Sequence, residues 1–301
     1  MAIVLSDNQY GKAETRVVRI CRDTERHEIR DLNVSTALRG DFAAAHLTGD
    51  QANVLPTDSQ KNTCFAYARE RGVGQIEDYA LALASHFVTD IAPVTRARVD
   101  VDEYRWDRVA VSGAGHAHTF VRAGHEIRTA SVTTDADGAV EKSWVISGVR
   151  DLVVLKSTGS QFTGFLTDRY TTLAAAADRV LATSLTARWR YAVTDAAWGD
   201  AFGQVRQILL ERFAVVESRA LQQTLWEMGS AVLAAREDIA EIRLSAPNKH
   251  HFLADLSPFG LDNPGEVFHA DDRPYGLIQC AVGREGAPDP GPAWDAPASF
   301  A

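Results

Sequence analysis

The sequence predicts an α+β protein that consists of two tandem units, each with long antiparallel strands and packed helices. Apolar and acidic side chains alternate over 99–102, as they do in a strand with one buried face. Two segments, 76–88 and 200–216, place apolar residues on one helical stripe. Both halves follow the same loose plan of strands and helices, which indicates duplication of one α+β unit.

The first half is predicted to begin with a hairpin and to continue through helices into further strands. Its segments are strands 12–20 and 27–38, a stretch of mixed helical character at 61–71, a helix at 76–88, and strands 94–106, 117–133 and 139–148.

The second half is predicted to repeat this plan. Its segments are strand 150–157, helix 171–183, strand 186–195, helices 200–216 and 221–236, and strands 239–246, 250–256 and 276–283. We therefore expect a first unit over 1–140, a second over 141–285, and a C-terminal tail over 286–301. The tail is rich in Gly, Pro, Ala and Asp up to Pro297, which favours an extended or mobile segment.

Composition excludes several classes of protein. The 301 residues carry a net charge of -9, which argues against nucleic acid or an anionic membrane as the main partner. Three single cysteines favour neither a disulfide framework nor a zinc site. No apolar run is long enough to span a bilayer, no signal peptide is evident, and the C-terminus lacks the peroxisomal Ser-Lys-Leu address. We expect a bacterial cytoplasmic protein.

Four polar segments carry the candidate chemistry. Three of them have an ordinary structural explanation when taken alone: a solvated lysine, a turn after Pro56, and a satellite apolar contact at Phe162. Arg179 alone is explained equally well as a surface charge on the helix predicted over 171–183. The four segments are Tyr10-Gly11-Lys12, Thr57-Asp58-Ser59-Gln60-Lys61-Asn62-Thr63, Leu155-Lys156-Ser157-Thr158-Gly159-Ser160-Gln161-Phe162 and Pro247-Asn248-Lys249-His250-His251-Phe252.

Taken in order, these segments resemble the urate oxidase (uricase) family. Further matching stretches are Asp31-Leu32-Asn33-Val34, Leu38-Arg39-Gly40-Asp41-Phe42 and Asp168-Arg169-Tyr170-Thr171-Thr172-Leu173. The resemblance runs from Asn8 to Ile278, nearly the whole chain. It implies two tunnelling-fold units per chain, each an antiparallel sheet with helices on one face. It also implies that subunits pair their sheets into a barrel, that two barrels form a homotetramer, and that active sites lie at subunit interfaces.

The resemblance also implies an activity and a site. The activity is cofactor-free oxidation of urate by molecular oxygen to 5-hydroxyisourate and hydrogen peroxide. Lys12, Thr57 and His250 are the implied proton relay, with Lys12 and Thr57 coming from one subunit. The implied substrate-binding residues are Thr57, Asp58, Phe162, Arg179, Leu221, Gln222 and Asn248, most of them from the neighbouring subunit.

The chemistry of these residues suits a flat, polar anion. Phe162 can stack on its ring, and Arg179 offers a planar fork of donors. Gln222 provides both a donor and an acceptor, and backbone N–H groups at Thr57, Asp58 and Leu221 can serve further acceptors. A lysine whose pKa is lowered can act as a base, a threonine hydroxyl can relay a proton, and a histidine titrates near neutral pH.

The sequence is compatible with two alternative functions. His116, His118 and His125 could form a metal site, which would indicate a metal-dependent tunnelling-fold enzyme acting on a purine or pterin. The chain could also be a purine-binding homologue without catalysis. A dinucleotide-binding motif is not supported, because His118 stands where the third glycine after Gly113 and Gly115 is required.

Overall fold

Two compact units make up the chain in a computed structural model, which describes residues 2–137 and 140–295. The predicted α+β class is confirmed within each unit. The predicted unit boundaries near 140 and 285 stay predictions. Among the described residues, the first unit contains those up to 148 together with 190–199 and 288–295, and the second contains 149–189 and 200–287.

The first unit is built on an antiparallel sheet with the strand order β1-β2-β3-β6-β7. Apolar pairs such as Val17 with Leu32, and Val34 with Val101, set the register on its buried face. A separate hairpin is formed by β4 and β5. The strands are β1 Tyr10–Cys21, β2 Glu28–Gly40, β3 Val94–Glu103, β4 Trp106–Val111, β5 Ala114–Arg122, β6 Ile127–Asp137 and β7 Val140–Lys156.

Helices cover one side of this sheet. Buried Tyr79, Leu83 and Phe87 recur at helical spacing on α3, which packs on β3 and β6. Buried Glu77 on the same helix receives hydrogen bonds from Arg128 and Ser147, which compensate for the burial of its charge. The helices are α1 Ala43–Leu47, α2 Thr57–Glu70 and α3 Ile76–Thr89.

The second unit continues from β7 and centres on β9. Strand β9 pairs antiparallel with two strands, β10 and β11, so that most of its residues are paired. Helix α5 packs on β9 and β11. The elements are β8 Leu181–Tyr191, α4 Trp198–Val215, α5 Leu221–Ala235, β9 Ile239–Leu253, a 3-10 helix Ser257–Phe259, β10 Phe268–Asp271 and β11 Leu277–Gly283.

Some predicted elements were wrong. The helix expected over 171–183 is absent: this stretch is irregular until β8 begins at Leu181. Residue 139 lies outside the described residues, and the rest of 139–148 belongs with most of 150–157 to the single strand β7, in which Asp151 has a left-handed conformation at φ 58°. The single strand β9 likewise covers most of 239–246 and 250–256. The stretch 117–133 is instead divided between β5 and β6.

The tail also differs from expectation within the described residues. A 3-10 helix, Gly291–Trp294, packs against β6 within the first unit, with Pro292 and Ala293 buried. Ala293 joins Trp144 and Ile146 in a small apolar cluster, and its carbonyl accepts a hydrogen bond of 3.1 Å from Arg98. Residues 296–301 lie outside the described residues. None of the described helices combines the length and the apolar character that crossing a bilayer requires.

Candidate active site

A cleft of about 610 Å³ in the second unit contains four of the residues expected in the site. Phe162, Arg179, Asn248 and His250 all line it. Its volume lies within the range of about 300–1,000 Å³ that is typical of small-molecule sites. The cleft also has aromatic walls, formed by Phe252 and Phe268 among other residues.

A backbone ladder positions Phe162 in this cleft. Phe162 and Ala176 exchange both backbone hydrogen bonds, at 2.8 and 2.9 Å. The Arg179 N–H donates to the carbonyl of Ser160 at 2.8 Å. The segments before and after the intervening loop are therefore hydrogen-bonded at two positions. Ser160 also pairs in parallel with Ser218, which precedes α5. The ladder therefore replaces the helix expected here and carries Arg179 on an extended segment.

Arg179 has an unusual electrostatic environment. Burial lowers the pKa of its guanidinium. Its Nε atom is buried without a hydrogen-bond partner among the described residues. The guanidinium carbon lies 5.2 Å from the centre of the Phe162 ring. A half-buried cation with an unused donor beside an aromatic face is suited to a flat anionic ligand.

Strand β9 presents the polar end of the cleft. Asn248, His250 and Phe252 alternate along β9, so they share one face of the strand. The His250 ring stacks on Phe252, with ring centres 5.5 Å apart and planes at 20°. The Asn248 N–H donates to the carbonyl of Gly276 at 2.8 Å, which fixes the backbone beside its side chain.

Leu221 and Gln222 lie at the start of α5, as predicted for Gln222. Leu221 is buried and Gln222 is exposed. The residue before the helix, Ala220, supplies no side-chain cap. The first N–H groups of a helix have no partner within the helix, so this end offers donors and a partial positive charge. Neither residue lines the cleft directly.

Lys12 lies on β1 in the first unit, next to an irregularity in the strand. The pairing with β2 shifts register between Lys12 and Thr15, and Glu14 has φ 56°. Bulges of this kind redirect side chains and often occur beside active sites. Gly11 is required here because a Cβ would lie 1.8 Å from the carbonyl oxygen of Thr36.

Thr57 and Asp58 form the first turn of α2, although the sequence suggested a loop after Pro56. Like α5, this helix has no side-chain cap. The Thr36 hydroxyl donates to buried Gln60 at 2.7 Å and so joins β2 to α2. Hydrogen bonding from Lys61, and to a smaller extent the charge of Lys12, lowers the pKa of Asp58.

The structure thus brings the predicted residues together in two groups. The cleft in the second unit holds Phe162, Arg179, Asn248 and His250, with α5 joined to it through Ser218. Lys12, Thr57 and Asp58 belong to the first unit. Sequence reasoning assigned no role to three residues in contact with this site: Phe252, which belongs to the fourth polar segment, Phe165, whose ring stacks on Phe162 at 4.7 Å, and Asp178. The alternation on β9 could have indicated Phe252.

The histidine alternative receives no support. His116 and His118 lie on β5 with ring centres 4.5 Å apart, and His27 lies 5.7 Å from His118. His125 lies in the loop after β5. Within residues 2–137 and 140–295, no group of three or more His, Cys, Asp or Glu side chains is arranged to hold a metal ion.

Antiparallel sheets covered by helices define an α+β protein, and its cleft combines an aromatic face with a guanidinium whose Nε atom has no partner in the described part of the chain. A family model described as Uricase matches residues 8–133 and 145–279. The chain is 48% identical over 298 residues to a uricase of Arthrobacter globiformis, covering 99% of this chain and 96% of that one. It is 36% identical to a uricase of Danio rerio, covering 92% and 93%.

Solved structures agree with the sequence comparisons. The crystal structure of the uricase from Arthrobacter globiformis matches with a TM-score of 0.92 over 98% of this chain and 100% of that chain. A uricase from Bacillus fastidious, 24% identical, has the same fold with a TM-score of 0.81, covering 92% and 93%. The chain belongs to the uricase family, and the tunnelling fold implied by the resemblance is confirmed.

Proposed function

We propose that this protein is a urate oxidase. Urate, oxygen and water are converted to 5-hydroxyisourate and hydrogen peroxide. The purine ring loses two electrons and two protons, which reduce oxygen to hydrogen peroxide, and water adds its hydroxyl at C5 of the oxidised ring. The substrate supplies the electrons, so the protein has to bind urate, remove protons and hold oxygen near the ring.

The environment of Arg179 carries this proposal. Its guanidinium is half-buried, and its Nε atom lacks a partner among the described residues. A buried N–H donor without an acceptor is costly, and an anionic ligand would remove that cost. The fork of N–H groups matches a carbonyl and a ring nitrogen of urate, while the Phe162 ring, 5.2 Å away, supplies a stacking face.

The remaining binding residues surround the same ligand in the proposal. Gln222 forms hydrogen bonds with an adjacent N–H and C=O pair of urate, and the Leu221 N–H donates to a further urate oxygen. Thr57 and Asp58 contribute backbone N–H groups from the uncapped end of α2. Two helix N-termini, those of α2 and α5, would then direct their partial positive charge toward one anion.

Lys12, Thr57 and His250 form the proposed proton relay. Lys12 acts as the base, the Thr57 hydroxyl both accepts and donates, and His250 returns the proton. Asn248 and Thr57 provide the polar groups that hold oxygen. The bulge beside Lys12 supports this role, because it sets the direction of the side chain at the start of β1.

The active site is proposed to form between two chains. Lys12, Thr57 and Asp58 come from the first unit of one subunit, and the cleft of the second unit comes from its neighbour. Sheets of two subunits close into a barrel, and two barrels form a homotetramer. The division of the predicted residues between separate units supports this arrangement.

Activity of purified, chelator-treated protein tests the proposal. We expect one molecule of oxygen to be consumed for each molecule of urate lost, as measured by the fall in urate absorbance. Lys12→Met or Thr57→Ala should lower kcat by roughly 10²–10⁴-fold, which is typical for loss of an acid–base group. Arg179→Gln should mainly raise KM, by roughly 10–100-fold, because a charge-assisted hydrogen bond contributes about 1.5–3 kcal/mol.

Arg169→Gln is the matched control for Arg179→Gln. Arg169 is exposed on the preceding loop and contacts Tyr170. Its replacement should leave KM within about twofold, since exposed pairs contribute little. Urate binding without oxygen consumption would identify a homologue that has lost catalysis. Unchanged turnover in the Lys12 and Thr57 variants would contradict the proposed proton relay.

A further inference from the structure

The carboxylate of Asp178 is fully engaged although it lies at the surface. Its Oδ1 atom accepts hydrogen bonds from the backbone N–H groups of Gly159 at 2.9 Å, Ser160 at 3.3 Å and Arg179 at 3.0 Å. Its Oδ2 atom accepts one from the Thr158 hydroxyl at 2.5 Å. Both oxygens are therefore used to join residues 158–160 to the segment that carries Arg179.

This arrangement adds side-chain hydrogen bonds to the backbone pairing between the two sides of the ladder. Gly159 has φ 75°, a conformation that turns successive N–H groups toward one acceptor. The Arg179 N–H is shared between the Asp178 carboxylate and the carbonyl of Ser160, at 2.8 Å from the latter. The Asp178 carboxylate thus joins the backbone of Arg179 to residues 158–160, which lead into Phe162.

Asp178 also leaves the adjacent guanidinium unneutralised. Its acceptor positions are directed to backbone and hydroxyl donors, and burial alone accounts for the lowered pKa of Arg179. The Nε atom of Arg179 has no acceptor within the described part of the chain. A carboxylate that paired with Arg179 would compete with an anionic ligand, whereas this one fixes the backbone and leaves the donors available.

The ionisation of Asp178 is consistent with this role. The Thr158 hydroxyl and the neighbouring backbone N–H groups lower the pKa of Asp178 below its ordinary value of 3.8. Because the pKa in the folded state is lowered, the stabilising contribution is present above the unfolded pKa and is lost as the pH falls through the folded one. The carboxylate is therefore charged throughout the neutral range.

We propose that Asp178 is a positioning residue that holds Arg179 in the geometry that binds the substrate anion. The inference rests on the proposed function, because it assigns Arg179 to urate. Asp178 contributes to affinity through Arg179 and takes no part in proton transfer. Its loss should weaken urate binding and leave the chemical step nearly unchanged.

The test compares Asp178→Ala with Asp178→Asn, using urate binding without oxygen and turnover in air. Asp178→Ala should weaken binding roughly tenfold or more, with kcat within about threefold of wild type, because binding and not chemistry is affected. Asp178→Asn should restore binding to within about threefold, since an amide oxygen can accept the three N–H bonds that Oδ1 accepts.

Asp168→Ala is the matched control. Asp168 also fixes a loop, through hydrogen bonds of 2.9 Å from the Tyr170 N–H and the Thr171 hydroxyl. It makes none of the contacts to Arg179 that Asp178 makes. Its replacement should leave urate affinity within about twofold, which distinguishes positioning of Arg179 from general loop stabilisation.

A double-mutant cycle with Arg179→Gln gives the decisive outcome. If Asp178 acts through Arg179, adding Asp178→Ala to Arg179→Gln should change affinity by less than about twofold. Full additivity, or an Asp178→Asn variant as weak as Asp178→Ala, would overturn the inference. Wild-type protein that binds urate but consumes no oxygen would refute the proposed oxidation while leaving the binding comparison intact.

Discussion

Buried polar atoms without partners have different meanings at different positions in this chain. Gln60 Nε2 has no partner among the described residues, and its side chain is fully buried where α2 meets β2. Arg179 Nε also has no partner within residues 2–137 and 140–295, but its side chain lines an open cleft. A buried donor at a cleft wall can be satisfied by a ligand, whereas one inside a core cannot. Exposure to the cleft therefore makes Arg179 the stronger functional candidate.

Cys64 illustrates how burial controls the chemistry of a single residue. Its thiol is buried on α2, donates to the carbonyl of Gln60 at 3.3 Å, and has a pKa raised to about 12 by burial. Only the thiolate reacts with alkylating reagents, and at pH 8 a pKa of about 12 leaves about one thiol in 10⁴ ionised. We predict that Cys64 stays unmodified by iodoacetamide in the native protein.

Mass spectrometry of the tryptic peptide that follows Lys61 measures this modification. The same peptide should be modified rapidly in denaturant, where burial is lost and the pKa returns toward its ordinary value. Equal rates in native and unfolded protein would contradict the assigned burial of Cys64.

At the scale of elements, sequence patterns predicted correctly those helices whose structure follows from their own residue spacing. The 3.6-residue stripe of α3 and the apolar pattern of α4 predicted both helices closely. The region 171–183 failed because its run of alanines at 174–177 favours a helix locally, yet the pairing of Phe162 with Ala176 and the contacts of Asp178 hold it extended. Tertiary contacts override helix propensity there.

Site residues could be proposed from sequence only as far as family resemblance reached. The order of the motifs identified Lys12, Thr57, Phe162, Arg179 and Asn248, but no periodicity connects residues so far apart in the chain. Phe165 and Asp178 were missed because their roles depend on ring stacking and on a ladder between distant segments. Such contacts become visible only in the folded chain.

Two helical glycines provide a prediction about packing. A Cβ at Gly229 on α5 would lie 2.7 Å from Val282 Cγ2 on β11 and 3.3 Å from Ile242 on β9, so the helix approaches the sheet closely there. A Cβ at Gly203 on α4 would meet no atom within 4 Å. Gly229→Ala should destabilise the protein by about 1–2 kcal/mol, because overpacking outweighs the gain in helix propensity.

Gly203→Ala is the matched control and should stabilise the protein by about 0.5–1 kcal/mol, since it restricts the unfolded chain and adds no clash. Thermal unfolding midpoints of the two variants should therefore move in opposite directions. A stabilised Gly229→Ala variant would show that the space between α5 and β11 is larger than these distances indicate.

At the scale of the whole molecule, the division of the predicted residues between two units leads to a test of assembly. Lys12→Met disables the group supplied by the first unit, and Arg179→Gln disables the cleft of the second. Each variant alone should be nearly inactive at low urate. If every site takes one group from each of two chains, a mixed pair of subunits contains one site with both substitutions and one with neither.

Unfolding and refolding the two variants together should therefore restore activity. With random pairing, half of the dimers are mixed and half of their sites are intact, so activity should reach about a quarter of the wild-type value. Co-refolding Lys12→Met with Lys12→Met is the control and should restore nothing. Absence of recovery in the mixture, with normal assembly by light scattering, would place all the groups of a site in one chain, because only a site shared between chains can be repaired by exchanging subunits.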